Sequence, residues 1–107
     1  MKNPNEAFLT KNTKILIVGL GMIGGSYAAA LSAGGYETGA VDTDETALSY
    51  AKQRGWIRDG RTFADGDFIK KYRLIVFALY PAAMLGWIRE NQKFIAKGAL
   101  LTDVSGV

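Results

Sequence analysis

Three closely spaced glycines are the part of this chain best suited to binding chemistry. Gly19, Gly21 and Gly24 directly follow the apolar residues 15–18 and precede an alanine-rich stretch. A Gly-x-Gly-x-x-Gly pattern between a strand and a helix is typical of a dinucleotide-binding unit. Its first glycine permits a tight turn, its second lets a pyrophosphate approach the backbone, and its third lets the helix pack closely on the strand. Free N–H groups at the helix N-terminus favour that anion. The residues between the glycines are candidate cofactor contacts as well: Leu20, Met22 and Ile23.

An acidic residue follows the motif at the spacing expected of a ribose-binding carboxylate. Asp42 ends the next apolar stretch, about 20 residues further on. A carboxylate there accepts hydrogen bonds from the adenosine ribose and repels a 2′-phosphate. Thr43, a further candidate contact, and the acids after it offer no cation for a phosphate, so the pattern predicts NAD rather than NADP. Two plainer interpretations stay open: a glycine-rich turn without a ligand, and an Asp42 that caps the next helix. Thr43 or Asp44 can equally provide that cap.

Composition limits the class of protein. The 107 residues, nearly half of them apolar, suit one globular domain with a modest core. The chain has no cysteine, which excludes disulfides, thiolate catalysis and cysteine-based metal sites and fits a cytoplasmic protein. No metal site is expected. The chain also has no histidine, the commonest general acid or base, so no catalytic residue is assigned.

The charge pattern and the N-terminus exclude further classes. The only local basic cluster is Lys70, Lys71 and Arg73, within a net charge of +3. Because no aromatic-and-basic motif accompanies it, it predicts a solvated helix end rather than a nucleic-acid site. Residues 1–13 form a polar leader without a signal core, and no stretch approaches the length of a membrane span.

The apolar periodicity predicts strands alternating with helices. Strands are expected at residues 14–19, 36–41, 61–63, 74–79 and 99–103. Helices are expected from the glycine motif to residue 33, and at 44–54, 65–71 and 81–97. This order implies an α/β domain over residues 14–107, a doubly wound parallel sheet (Rossmann fold) with strand order 3-2-1-4-5.

The same periodicity predicts which side chains pack. Ile23, Tyr27 and Leu31 recur on one face of the first helix, together with Ala30. Gly25 and the alanines at 28–30 are expected to keep this helix slim against the sheet. Trp87 and Phe94 have helical spacing and are expected in the core rather than at a ligand.

In such a sheet, ligands bind at the carboxyl ends of the strands, near the switch point between strands one and four. This adds two loops to the candidate site, flanking the nicotinamide half of the cofactor: Leu79, Tyr80 and Pro81 after strand four, and Ser105 after strand five. Tyr80 and Pro81 would also serve simply to end strand four and begin the next helix.

Several segments resemble the N-terminal signature of prephenate dehydrogenases. They are residues 15–26 (Ile-Leu-Ile-Val-Gly-Leu-Gly-Met-Ile-Gly-Gly-Ser), 39–42, 51–55 with Ile57 and Asp59 after them, 74–81, and 98–104 (Gly-Ala-Leu-Leu-Thr-Asp-Val). The resemblance covers about residues 14–107. The Gly-Leu-Gly-x-Ile-Gly-Gly-Ser form and the Thr-Asp-Val ending usually differ in related β-hydroxyacid dehydrogenases, which share the layout.

This resemblance implies an NAD-dependent enzyme of tyrosine biosynthesis that oxidatively decarboxylates prephenate to 4-hydroxyphenylpyruvate; some members use arogenate or NADP. The family's catalytic histidine, in a Gly-His-Pro segment, follows the position matching Val107. A C-terminal helical domain completes the substrate site and forms the homodimer. The chain is therefore expected to be a fragment of a longer enzyme, truncated before that domain, which binds NAD without turnover. In the family, Gly-Ser-Val-Lys follows the Asp-Val pair, and its serine contributes to the active site. Here the corresponding residues are Ser105, Gly106 and Val107, so Gly106 occupies the serine position. Whether Ser105, one place earlier, replaces that serine stays open.

Two other functions remain open. One is an arogenate dehydrogenase or another hydroxyacid or imine oxidoreductase domain, which the sequence after residue 107 would distinguish. The other is a non-catalytic NAD-sensing regulatory module, which binds through the same motif and acid and needs no active-site residues. The loops at residues 79–81 and 102–104 favour the enzyme.

Overall fold

The computed structural model describes residues 10–104, which form one parallel sheet with helices on both faces. The strands are β1 (Ile15–Val18), β2 (Thr38–Val41), β3 (Asp59–Arg61), β4 (Leu74–Phe77) and β5 (Leu100–Asp103). The helices are α1 (Met22–Ala33), α2 (Glu45–Gln53), α3 (Gly66–Ile69) and α4 (Pro81–Asn91), and a 3₁₀ turn, Gln92–Phe94, follows α4. The sheet order is β3-β2-β1-β4-β5. The predicted doubly wound fold and its strand order are confirmed.

The central strand fixes where the loops meet. All four residues of β1 are buried, and its last residue, Val18, pairs with Val41 of β2 and Phe77 of β4. Because the strands are parallel, their carboxyl ends lie at one edge, which we call the carboxyl edge; the opposite one is the amino edge. The loops after β1, β2 and β4 therefore start side by side.

The core lies on both faces of the sheet. On one face, Ala28 of α1 and Leu48 and Ala51 of α2 cover the strands. On the other, Phe68 and Ile69 of α3 and the side chains of α4 do so. Trp87 packs its ring edge-on against Phe77, with 5.3 Å between the ring centroids, and Phe94 packs against the same cluster. The prediction that these two aromatics belong to the core is confirmed.

The predicted packing of α1 is confirmed for Gly24, Gly25 and Ala28, and Leu31 packs against the core, but Ile23 and Tyr27 do not pack. The buried residues of α1 are Gly24, Gly25 and Ala28, whereas Ile23 and Tyr27 are 45% and 43% exposed. The helix approaches the sheet through its smallest side chains, because a close helix–strand approach excludes larger ones. The glycine motif therefore predicted this close contact correctly, whereas apolar periodicity misplaced Ile23 and Tyr27.

Two element boundaries also differ from prediction. Strand β3 pairs Asp59 with Gly39 and Arg61 with Val41, so it lies two residues earlier than expected and Phe63 follows it, exposed. Helix α4 ends at Asn91 rather than residue 97. The Asn91 side-chain amide donates to the carbonyl of Trp87 at 2.8 Å, and such local bonds compete with the helical pattern. The other boundaries agree within about two residues, the usual uncertainty of helix and strand ends.

A buried tyrosine locks the sheet to the segment before β4. Tyr72 is 3% exposed, and a Cβ on Gly39 of β2 would lie 2.0 Å from its hydroxyl oxygen. Only glycine accommodates that hydroxyl. Burial, together with the negative charges of Glu37 and Asp59, raises the pKa of Tyr72 to about 12.

The remaining expectations concern the chain ends and membranes. The predicted leader, residues 1–13, lies mostly outside the described residues; within the described part, the N–H of Thr13 donates to the carbonyl of Thr10 at 2.9 Å. Between residues 10 and 104, no helix has the length and apolarity to cross a membrane.

Candidate functional site

Two of the three motif glycines are required by the protein's own packing. Gly19 has φ +97°, and a Cβ there would lie 2.7 Å from the carbonyl oxygen of Ala78. A Cβ on Gly24 would lie 1.8 Å from the carbonyl oxygen of Gly19. These contacts pack the first turn of α1 directly against the end of β1, so any larger residue forces the helix and the strand apart.

The middle glycine has a different environment. A Cβ on Gly21 would meet no atom of the described residues within 4 Å. Gly21 is also the N-cap of α1, where it offers no side-chain hydrogen bond, and the first turn of α1 carries no acidic residue. Packing between residues 10 and 104 therefore gives no reason for a glycine here. The space beside Gly21 adjoins a helix N-terminus, whose N–H groups and dipole favour an anion.

Asp42 joins the end of β2 to the glycine loop. Its Oδ2 accepts a hydrogen bond from the backbone N–H of Leu20 at 2.6 Å, and its Oδ1 accepts one from the N–H of Asp44 at 2.8 Å. Asp44 in turn caps α2 by accepting from the N–H groups of Thr46 and Ala47. Asp42 is therefore not the helix cap. An ionised carboxylate has about four acceptor positions, so both oxygens retain capacity for ligand hydroxyls.

Arg61 lies next to Asp42, and its guanidinium forms ion pairs with two protein carboxylates. The carbonyl of Arg61 accepts a hydrogen bond from the N–H of Asp42 at 3.1 Å. The Arg61 guanidinium contacts Asp59 at 3.0 Å and Asp65 at 3.2 Å and lies over the ring of Phe68, 4.5 Å from its centroid. The hydrogen bond to Asp59 is the largest reason that the pKa of Arg61 is raised. Sequence reasoning missed Arg61, because its approach to Asp42 depends on the β2–β3 register.

The loop after β4 lies beside the glycine loop. A Cβ on Gly19 would be 3.0 Å from Cδ2 of Leu79, so Leu79 contacts this turn. Tyr80, the N-cap of α4, is 81% exposed, and Pro81 occupies the first turn of that helix. Met22, at the start of α1, is 90% exposed. Large exposed side chains therefore occur where the chain leaves β1 and β4 at the carboxyl edge.

The remaining predicted site residues differ in how the structure places them. Ile23 is exposed in the first turn of α1, and Thr43 is exposed between Asp42 and Asp44. Ser105 lies outside the described residues. Within residues 10–104, no group of three or more acidic side chains is arranged to hold a metal ion.

The carboxyl edge offers groups suited to binding a ligand. It combines an uncapped helix N-terminus, an open position at Gly21 and a carboxylate with acceptor capacity. The chain holds no histidine or cysteine to act as general base or nucleophile. The arrangement therefore suits an elongated ligand with an anionic centre and a hydroxyl-bearing end.

Known structures share this architecture. Synechocystis arogenate dehydrogenase superposes with a TM-score of 0.80 at 24% identity, covering 89% of this chain and 34% of that one. Aquifex aeolicus prephenate dehydrogenase, solved with hydroxyphenyl propionate and NAD⁺, gives 0.78 at 24% identity with the same coverages. Mycobacterium tuberculosis 3-hydroxyisobutyrate dehydrogenase gives 0.74 at 19%, covering 86% of this chain and 31% of that one. Neither a protein-family model nor a curated protein sequence matches the chain. The likeness to prephenate and arogenate dehydrogenases that the sequence predicted is confirmed as a likeness of fold. The chain spans about a third of their length.

Proposed function

We propose that this chain binds NAD as the cofactor domain of a dehydrogenase. The observation that carries the proposal is the contrast among the three glycines. Gly19 and Gly24 are explained by contacts at 2.7 and 1.8 Å with the protein's own backbone, whereas a Cβ on Gly21 meets no described atom within 4 Å. A glycine that packing does not require, at an uncapped helix N-terminus, is the cradle that a pyrophosphate needs.

The other residues assign the ends of the cofactor. Asp42 would accept hydrogen bonds from the adenosine ribose, with Thr43 beside it. Leu79, Tyr80, Pro81 and Ser105 would flank the nicotinamide, which supplies a hydride acceptor when bound. Arg61 is held by Asp59 and Asp65, so it offers no ready partner for a 2′-phosphate. This supports NAD over NADP.

For the reaction, we propose oxidative decarboxylation of prephenate to 4-hydroxyphenylpyruvate, a step of tyrosine biosynthesis. The motif resemblance and the fold likeness to a prephenate dehydrogenase at TM-score 0.78 support it. Arogenate is the second candidate substrate, supported by the arogenate dehydrogenase at TM-score 0.80. The chain has no histidine for proton transfer, so we propose that it binds the cofactor without turnover and that a longer, cytoplasmic, homodimeric enzyme carries out the reaction.

Titration of the purified chain with NAD and NADP by calorimetry tests the binding proposal. Saturable NAD binding, with NADP at least about tenfold weaker because of Asp42, is the expected result. Binding of neither nucleotide would contradict the proposal. The same sample incubated with NAD and prephenate should form no NADH; measurable NADH would show that the chain contains its own catalytic groups.

A further inference from the structure

Acidic residues predominate at the carboxyl edge of the sheet and basic residues at the amino edge, although Arg61 ends β3 at the first and Glu37 and Asp59 lie at the second. Acidic residues end or follow the strands at the carboxyl edge: Asp42, Asp44, Glu45, Asp65, Asp67 and Asp103. Basic residues precede the strands, or lie at and after the C-terminal ends of the helices, at the amino edge: Lys11, Lys14, Lys52, Arg54, Arg58, Lys70, Lys71, Arg73 and Lys97. Helix dipoles explain part of this separation, because cations are favoured at helix C-termini. They do not explain Lys14, Arg58 and Arg73, which directly precede strands.

Backbone pairing brings these cations together. The N–H of Ile15 donates to the carbonyl of Glu37 at 2.9 Å, and the N–H of Arg73 donates to the carbonyl of Lys14 at 3.1 Å. The side chains of Lys14 and Arg58 both reach Glu37, at 3.6 and 3.3 Å. Arg58 remains 77% exposed despite this contact. The Glu37 carboxylate therefore neutralises only one of the two positive charges of Lys14 and Arg58, and the remaining positive charge lies at the surface.

Two adjoining depressions open at this place, and both contain Glu37 and Arg58 in their walls. The first, of about 560 Å³, is lined also by Lys11, Tyr36 and Trp56. The second, of about 440 Å³, is lined also by Lys14, Lys52 and Lys71. We call the pair the amino-edge groove. The walls of the groove contain five cationic side chains: Lys11, Lys14, Lys52, Arg58 and Lys71. They contain only two carboxylates, Glu37 and Asp59.

Two aromatic rings in the wall of the first depression, Tyr36 and Trp56, lie beside cations. The Lys11 ammonium lies 4.9 Å from the ring centroid of Tyr36. The guanidinium of Arg54, a residue outside the two depressions, lies 5.9 Å from the ring centroid of Trp56. Cations that follow a phosphate backbone and aromatic faces that stack on bases are the two features used to bind single-stranded nucleic acid.

We propose that the amino-edge groove binds single-stranded nucleic acid. It lies opposite the carboxyl edge, where NAD is proposed to bind. The local sequence around Lys70 predicted only a solvated helix end, because the cations and aromatics of the groove come from separate connections. The concave shape and half-buried rings favour a single strand over a membrane surface. A membrane surface would favour exposed apolar side chains, but several of these, among them Met22, Phe63 and Tyr80, follow strands at the carboxyl edge instead.

Fluorescence anisotropy with a labelled oligouridylate of about 12 nucleotides tests the proposal, since single-strand sites span about 4–16 nucleotides. The wild-type chain should bind it, with affinity falling steeply as salt rises. The double variant K14Q/R58Q should weaken binding at least about tenfold at low salt and reduce the salt slope by about 1.4, since each lost phosphate contact contributes about 0.7.

A matched variant and a second ligand make the result decisive. R89Q/K93Q removes the same charge from α4 and the turn after it, and should change oligonucleotide affinity less than about twofold, within the range of a rim charge. Absence of salt-dependent binding, equal weakening by both double variants, or displacement of the oligonucleotide by NAD would each overturn the proposal. So would tighter, K14Q/R58Q-sensitive binding to phosphatidylserine vesicles, which would assign the groove to a membrane.

Discussion

The carboxylate of Asp42 accepts a hydrogen bond from the backbone N–H of Leu20 at 2.6 Å. This bond ties the end of β2 to the loop that follows β1. The residue proposed to bind the ribose therefore also holds the loop proposed to bind the pyrophosphate. Loss of Asp42 should affect both ends of the binding site.

We expect D42A to weaken NAD binding at least about tenfold and to lower the free energy of unfolding by about 0.5–1.5 kcal/mol, because the partly buried N–H of Leu20 loses its acceptor whereas the N–H of Asp44 is exposed to water. Calorimetry and urea denaturation measure the two effects. D44N is the matched control, since asparagine caps helices as well as aspartate does. Equal NAD affinity in D42A and wild type would exclude the ribose role.

G21A should fold like the wild type but bind NAD at least about tenfold more weakly. Gly21 has φ −66° and ψ −165°, an extended conformation that alanine adopts, so stability should change by less than about 1 kcal/mol. The added methyl group would occupy the space proposed for the pyrophosphate. NAD titration and thermal unfolding of the same sample separate the two effects. Unchanged affinity would mean that no ligand approaches this backbone.

G24A should destabilise the chain by about 3 kcal/mol or more, because its Cβ would lie 1.8 Å from the carbonyl oxygen of Gly19. G86A, in the interior of α4, provides the opposite case: its Cβ would meet no described atom within 4 Å. Alanine there should stabilise the chain by about 0.5–1 kcal/mol through its helix propensity. Chemical denaturation of both variants checks the pair, and similar destabilisation by both would contradict the packing argument.

Stability should fall in alkaline solution through Tyr72. Its pKa is raised to about 12 from the ordinary tyrosine value of about 10, so the folded state holds this proton more tightly than the unfolded state. The contribution is fully present below about pH 10 and is lost as pH rises to about 12, by at most about 1.4 kcal/mol per pH unit. Urea denaturation across this range measures it. Y72F should remove this part of the slope, whereas Y27F, at an exposed ring, should retain it.

The strand order was predictable because apolar runs, turn residues and handedness rules leave few arrangements for this pattern. The close packing at Gly19 and Gly24 was predictable because the turn and the helix start that require it are adjacent in the sequence. The exposure of Ile23 and Tyr27 was not, because apolar periodicity does not take account of the small residues that form the buried face of α1. Strand β3 was misplaced because Asp59-Gly60-Arg61 lacks apolar alternation and is defined by pairing with β2.

The site was predictable only in part for the same reason. The contact from Leu20 to Asp42 and the position of Arg61 beside it depend on the register of neighbouring strands. No local pattern encodes that register. The early end of α4 coincides with a side-chain hydrogen bond of Asn91, which periodicity does not detect.

The position of β1 in the sheet has a consequence for folding kinetics. One side of β1 pairs with β2, which follows after a single helix, but the other side pairs with β4, which the chain reaches only after β3 and α3. Such distant pairing slows folding. Until β4 docks, one side of the Ile15–Val18 strand stays unpaired, and an unpaired apolar strand is a template for pairing with another chain. Refolding at high protein concentration should therefore lose material to aggregation before the sheet closes around its central strand.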